Sequence, residues 1–149
     1  MKVIARNKKA SRDYEILEKI QSGIELQGTE VKSIRAGRIN LLDSYAVCHH
    51  GELFIYRMHI SPFEQASFYS HDPYRTRKLL LHKKEIVRLC SQVERKHLTL
   101  IPLAVYFKRQ WVKIELGLCR GHKKYDKRQK IAAEENKKRL AAVMKNARR

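Results

Sequence analysis

Two apolar runs, TLIPLAVYF (residues 99–107) and WVKIELGLC (111–119), stand only three residues apart. Both carry β-branched and aromatic residues, and the Lys108-Arg109-Gln110 link is polar and too short for anything but a tight reversal. They must pair as an antiparallel hairpin, and any fold for this chain has to be built around it.

The other segments extend that theme. SYAVCHHGELFIYRMHI reads as a second hairpin, with Tyr45 to Cys48 and Leu53 to Ile60 flanking His-His-Gly-Glu and Pro62 ending it. DYEILEKIQSGIEL has mixed periodicity. Tyr14, Ile16 and Ile20 alternate, while Ile16, Leu17 and Ile20 also fit a helix; the strand is preferred. Helices are fewer. Thr29 can cap one, Glu30 suits its positive end, Val31 and Ile34 share a face, and Gly37 can close it. Ile86, Leu89, Cys90 and Val93 fall at i, i+3, i+4 and i+7, with Lys83, Lys84 and Arg88 on other faces, which predicts an amphipathic helix. Phe63 to Pro73 reads as loop or a short helical turn. Strands outnumber helices, so the expected fold is mainly β: a small antiparallel barrel with peripheral short helices.

Charge decides the class of partner. Across 149 residues, 33 Lys and Arg face 15 Asp and Glu, a net charge of +18. Such an excess repels itself in a compact state and favours a polyanion. A membrane surface is the rival polyanion. However, no apolar run approaches the ~18 residues of a spanning helix, and MKVIARNKK lacks a signal-peptide core. The expectation is a cytoplasmic chain without a membrane partner. Cys48, Cys90 and Cys119 are isolated and lack metal-ligand spacing, so they are expected to be ordinary buried thiols. The seven histidines include one adjacent pair, His49-His50, better explained by a turn at Gly51. No metal or cofactor is expected.

Composition shifts at Arg120. From there to Arg149, twelve Lys and Arg stand against three Asp and Glu, half of the net charge in a fifth of the chain. This predicts a barrel domain over 1–119 and a basic tail over 120–149. Asp126 and Gln129 have capping-box spacing, and Glu134–Lys138 and Glu135–Arg139 are i, i+4 pairs worth ~0.3 kcal/mol each. Against them, Lys127 and Arg128 occupy the first turn, where the macrodipole disfavours cations, and a lone helix of ~20 residues is marginal in water. The tail is expected to be frayed or disordered when free and to fold on a negatively charged partner. Tyr125 among its cations suits stacking on an unpaired base.

Several strings together resemble one bacterial family. QGTEVKSIRAG (27–37), LLDSYA (41–46), DPYRTRKLLLHKKEI (72–86), TLIPLAVYF (99–107) and YDKR (125–128) occur in order and look like the SsrA-binding proteins, or small protein B. The resemblance implies an OB-like barrel and a role in trans-translation. Members bind the tRNA-like domain of transfer-messenger RNA and deliver it to stalled ribosomes. The tail enters the empty messenger channel by the small-subunit decoding centre, and synthesis switches to a reading frame encoding a degradation tag.

Carried over residue by residue, the resemblance implies RNA contacts at Gln21, Glu30, Lys32, Arg35, Arg77, Lys78, Leu80 and His82. It implies a ribosome-acting tail beginning at Gly121, Lys123, Lys124, Tyr125, Asp126, Lys127 and Arg128, on a monomer. From the residues alone, Glu30 equally suits its own helix terminus, and Leu80 suits the core better than a contact. Three positions depart from the family. Gln21 replaces the usual glutamate, His122 the usual lysine, and His97 a common glycine.

Two other functions compete. An RNase would need an acid–base pair or metal-binding carboxylates; the histidines are scattered, and only folding could unite His59, His71 and Glu64. A structural ribosomal protein would match size and charge, but not the family strings.

Overall fold

Tyr45 to His49 (β4) and Glu52 to Tyr56 (β5) are joined by His50 and Gly51, both at positive φ (49° and 75°). This is the geometry of a two-residue type I′ hairpin turn. The computed structural model describes residues 2–63 and 70–121. The other expected hairpin is also present. Thr99–Lys108 (β8) pairs antiparallel with Trp111–Gly121 (β9) from Lys108 opposite Trp111 to Thr99 opposite Cys119. Tyr14–Ile24 (β2) is the preferred strand and lies along β9, with Tyr14 opposite Gly121.

Some elements were not expected. Lys2–Arg6 in the basic head is a strand, β1, on β8, and Lys8–Asp13 is a short helix, α1. Arg77–Leu80 forms β7 between β5 and β2. The second run of the Tyr45–Ile60 hairpin also breaks. Arg57 turns left-handed (φ 60°), and His59–Ile60 (β6) pairs instead with Ile39–Asn40 (β3).

Strands β8, β4, β5, β7, β2 and β9 close on themselves through the β8–β9 pairing into the antiparallel ring of the expected OB-like barrel, mainly β with short helices around it. Closure needs bent strands. Register shifts occur between Ile16 and Glu18 and between Pro102 and Ala104, where the missing N–H of a proline is tolerated in an otherwise central strand.

The long strands explain their own patterns. Along β2, Ile20, Ser22 and Ile24 are buried while Lys19 and Gln21 are exposed. Along β8 there is no alternation because both faces are covered. Leu100 and Val105 face the main core with Leu53, Ile55, Leu79, Ile114 and Leu116. Ile101 and Leu103 pack outward with Cys119 and with Ala10 of α1.

The α3 helix, Lys83–Lys96, packs Ile86 and Leu89 on the core, as its periodicity predicts. It is anchored to β2 by a two-bond Arg88–Glu18 pair at 2.9 Å each.

The expectation of three free thiols is overturned. Cys48 of β4 and Cys90 of α3 are joined in a disulfide with Cα atoms 5.9 Å apart. Cys119 alone remains a free buried thiol, and burial pushes its pKa up to about 11. Spacing along the chain could not show this, because only the docking of α3 brings residues 42 apart together.

Candidate RNA-binding surface

The second helix, α2, spans Gly28–Arg35 and begins right after β2. Its start is not capped by Thr29 as expected. The Gln27 N–H donates to Glu30 Oε1 at 2.7 Å, so Glu30 caps its own helix, and the Thr29 hydroxyl lies 2.9 Å from His71 Nδ1. Its end follows expectation. Gly37 takes φ 75°, and the Gly37 and Arg38 N–H groups donate to the carbonyls of Ile34 and Ser33, closing a Schellman motif.

Glu30 is fully buried and carries more than a cap. Arg75 Nη2 donates to its Oε1 at 2.6 Å, and Arg77 Nε makes a very short contact with its Oε2. Arg77, also fully buried, donates from Nη1 to the Met58 carbonyl at 2.7 Å and from Nη2 toward the carbonyls of Asp72 and Pro73. One guanidinium thus ties α2 to the β5–β6 turn and the loop before β7. Burial works to raise the Glu30 pKa, but the hydrogen bonds from Arg75, Gln27 and Arg77 prevail and hold it below the ordinary value of 4.5.

The expected phosphate contact at Arg77 is therefore corrected. Its donors are spent on internal acceptors and none of it reaches solvent, so it positions the surface instead of touching a ligand. Glu30 takes the first of its two readings, the structural one. Reasoning from sequence missed Arg75, which completes this cluster; the Arg75-Thr76-Arg77 spacing was its only signal.

The opposite correction applies at Leu80, which residue type placed in the core. It is 49% exposed, while its neighbour Leu79 is 1% exposed. On β7, Arg77 and Leu79 point inward and Lys78 and Leu80 outward. The facing strand supplies room. Gly23 lies opposite Leu80, and a Cβ there would sit 3.2 Å from the Leu80 Cβ. Gln21 lies on the same outer face of β2, exposed, two residues from Gly23. Lys78 reaches Glu52 at 2.9 Å, and that hydrogen bond raises its pKa. His82 is exposed at the start of α3.

On α2, Lys32 and Arg35 are exposed. The Lys32 Nζ lies 5.3 Å from the Phe63 ring centre and the Arg35 Cζ 5.8 Å from that of Phe107. The structure thus divides the expected contacts. Gln21, Lys78, Leu80 and His82 follow the β2–β7 face, Lys32 and Arg35 lie on the helix that leaves it, and Glu30 and Arg77 lie beneath.

In the expected tail, Gly121 ends β9 opposite Tyr14 and so belongs to the barrel. The remaining tail residues, Lys123, Lys124, Tyr125, Asp126, Lys127 and Arg128, lie outside the described residues, as do the Asp126–Gln129 cap and Glu64.

Among the described residues, the two histidines singled out for an acid–base set have other partners. His71 is buried, and its Nε2 lies 2.8 Å from the Ile60 carbonyl, so that nitrogen carries the proton and Nδ1 accepts from Thr29. His59 packs edge-on against Tyr74 at 4.9 Å. Among the described residues, no three His, Cys, Asp or Glu side chains are grouped to hold a metal ion, and no helix is long and apolar enough to cross a membrane.

Comparison with known proteins gives a consistent result. The sequence model of the family described as SmpB protein matches residues 4–146. The SsrA-binding protein of Carboxydothermus hydrogenoformans is 53% identical over 144 residues, 97% of each chain. That of Enterococcus faecalis is 49% identical over 148 residues, 99% of this chain and 96% of its own. A solved chain from "tmRNA-SmpB: a journey to the center of the bacterial ribosome" superposes with a TM-score of 0.68 at 49% identity, covering 83% of this chain and 87% of the other.

Proposed function

The chain belongs to the SmpB protein family, and from that premise we propose that it is an RNA-binding factor of trans-translation. It binds the tRNA-like domain of transfer-messenger RNA, delivers that RNA to stalled ribosomes, and enables tagging of the unfinished peptide. The outer face of β2–β7 carries this reading. There an exposed leucine, a lysine and a glutamine stand beside the cations of α2, over a buried Glu30–Arg77 pair that fixes their relative placement. Cations suit phosphates, and the polar and apolar groups suit sugar and base edges. It acts in the cytoplasm as a monomer, by binding and without turnover of its own. Residues 122–149 supply the second half of the function, entering the empty messenger channel near the decoding centre and folding there as a helix.

The division of labour is testable by truncation. The cut belongs after Gly121, because an earlier one would remove the β9 residues that pair with Tyr14, Glu15 and Ile16. A chain of residues 1–121 should bind the tRNA-like RNA yet fail to support tagging. The full chain with Asp126, Lys127 and Arg128 all changed to alanine should bind RNA normally while tagging collapses. Loss of all specific RNA binding in the truncated but folded chain would overturn this assignment. Incubation of the pure protein with its RNA, with and without divalent metal, should leave the RNA intact.

A further inference from the structure

The β8–β9 hairpin ends in an exposed tryptophan. Trp111 is the single tryptophan of the chain and is 64% exposed, although its neighbour Val112 is buried in the barrel. An indole is large enough to bury 150–250 Å², so leaving it in water forfeits a substantial apolar contact. Its surroundings are cationic. Lys108 lies directly opposite it across the hairpin, and Lys113 follows on the same face of β9. The two-residue turn puts Arg109 at φ 60°, beside a cleft of about 660 Å³ lined by Lys2, Ile4, Arg35, Phe107, Arg109 and Gln110. Among the described residues, no carboxylate lines this cleft. Among the described residues, Lys2, Arg35, Lys108, Arg109 and Lys113 have no carboxylate partner, whereas Lys9, Lys19, Lys78 and Arg88 do.

We propose that this hairpin tip is a second RNA contact, in which the Trp111 indole stacks on an unpaired base and Lys108, Arg109 and Lys113 around it hold the adjoining phosphates. Base-on-aromatic stacking beside a cationic groove is the general solution for single-stranded nucleic acid. A lipid surface fits less well, since an interfacial tryptophan needs apolar neighbours to insert with it. Here its chain neighbours on the turn are Lys108, Arg109 and Gln110. Arg109 also lines the cleft that holds Arg35 of α2, and the inference rests on the reading of this chain as an RNA-binding protein.

Because Trp111 is the only tryptophan, its fluorescence reports on this site alone. Titration of the full chain with tRNA-like RNA should quench the indole in step with binding. Trp111→Ala should weaken binding by about 5- to 150-fold, the range expected for one stacked base, and Trp111→Phe should recover part of the loss. The melting temperature should not change, since the ring is exposed. Changing Lys108 and Arg109 together to glutamine should shallow the salt dependence by up to about 0.7 log unit per lost phosphate contact. Saturable RNA binding that leaves the indole emission unchanged, or unweakened binding by Trp111→Ala, would overturn the inference while leaving the function intact. An emission shift with anionic vesicles and none with RNA would assign the tip to a membrane instead. Absence of RNA binding by the unchanged chain would remove the functional reading and this one together.

Discussion

Glu30 and Arg77 are the residues whose chemistry and placement differ most from a naive hydropathy reading. Two charges without solvent exposure cost several kcal/mol each in desolvation, which only close pairing and full hydrogen bonding offset. Removing one partner should therefore cost about 3–5 kcal/mol, and Glu30→Gln should be clearly less stable than the unchanged chain at pH 7. The pH dependence has a definite sign. The folded-state pKa of Glu30 is lowered, so its stabilisation is complete above 4.5 and is lost as pH falls below that value. Urea unfolding across this range should show the gap between the two proteins narrowing on acidification; a constant gap would mean that Glu30 is not ionised in the fold. His97 makes a smaller point. It follows α3 in the left-handed region (φ 52°, ψ 46°), and the His97 and Leu98 N–H groups both donate to Val93. A side chain there is strained where glycine is not. His97→Gly should raise stability by about 0.5–1 kcal/mol, read as a higher melting temperature.

Among the elements, α3 is held by two kinds of link, apolar packing of Ile86 and Leu89 and the Cys48–Cys90 bond to β4. The bond spans 42 residues, for which the chain-entropy argument gives about 4 kcal/mol. Reductant should lower the unfolding midpoint of the native chain and leave that of a Cys48→Ser, Cys90→Ser double variant unchanged. Equal midpoints of the native chain with and without reductant would contradict that contribution. The sequence made some elements legible and hid others for physical reasons. Both hairpins announce themselves through β-rich runs and short polar links, and α3 carries the helical period, so local pattern and tertiary packing agree there. In β7 they conflict. Arg77 points inward and Leu80 outward, the reverse of what residue type suggests, so RKLL gave no strand signal. That inversion lies in the candidate site itself. The resemblance named Leu80 as a contact when its chemistry did not. Nothing local in β1 or α1 announced them, because their burial depends on the outer face of β8.

The whole molecule is a closed barrel beneath a cationic exterior, and its proposed partner is one particular RNA. Net charge of +18 guarantees some affinity for any nucleic acid at low salt, so affinity alone proves little. What the structure adds is placement: a β2–β7 face and an α2 helix fixed to each other by a buried ion pair, which a merely cationic chain would not need. Selectivity is therefore the quantity to measure. The full chain should be titrated against transfer-messenger RNA and against unrelated structured RNAs of similar length, at several matched salt concentrations. Binding to transfer-messenger RNA should be tighter at every salt, and the ratio of affinities should persist or widen as salt rises and the non-specific electrostatic component fades. Equal affinities that fall together with salt would contradict specific recognition and leave only a basic protein that binds any polyanion.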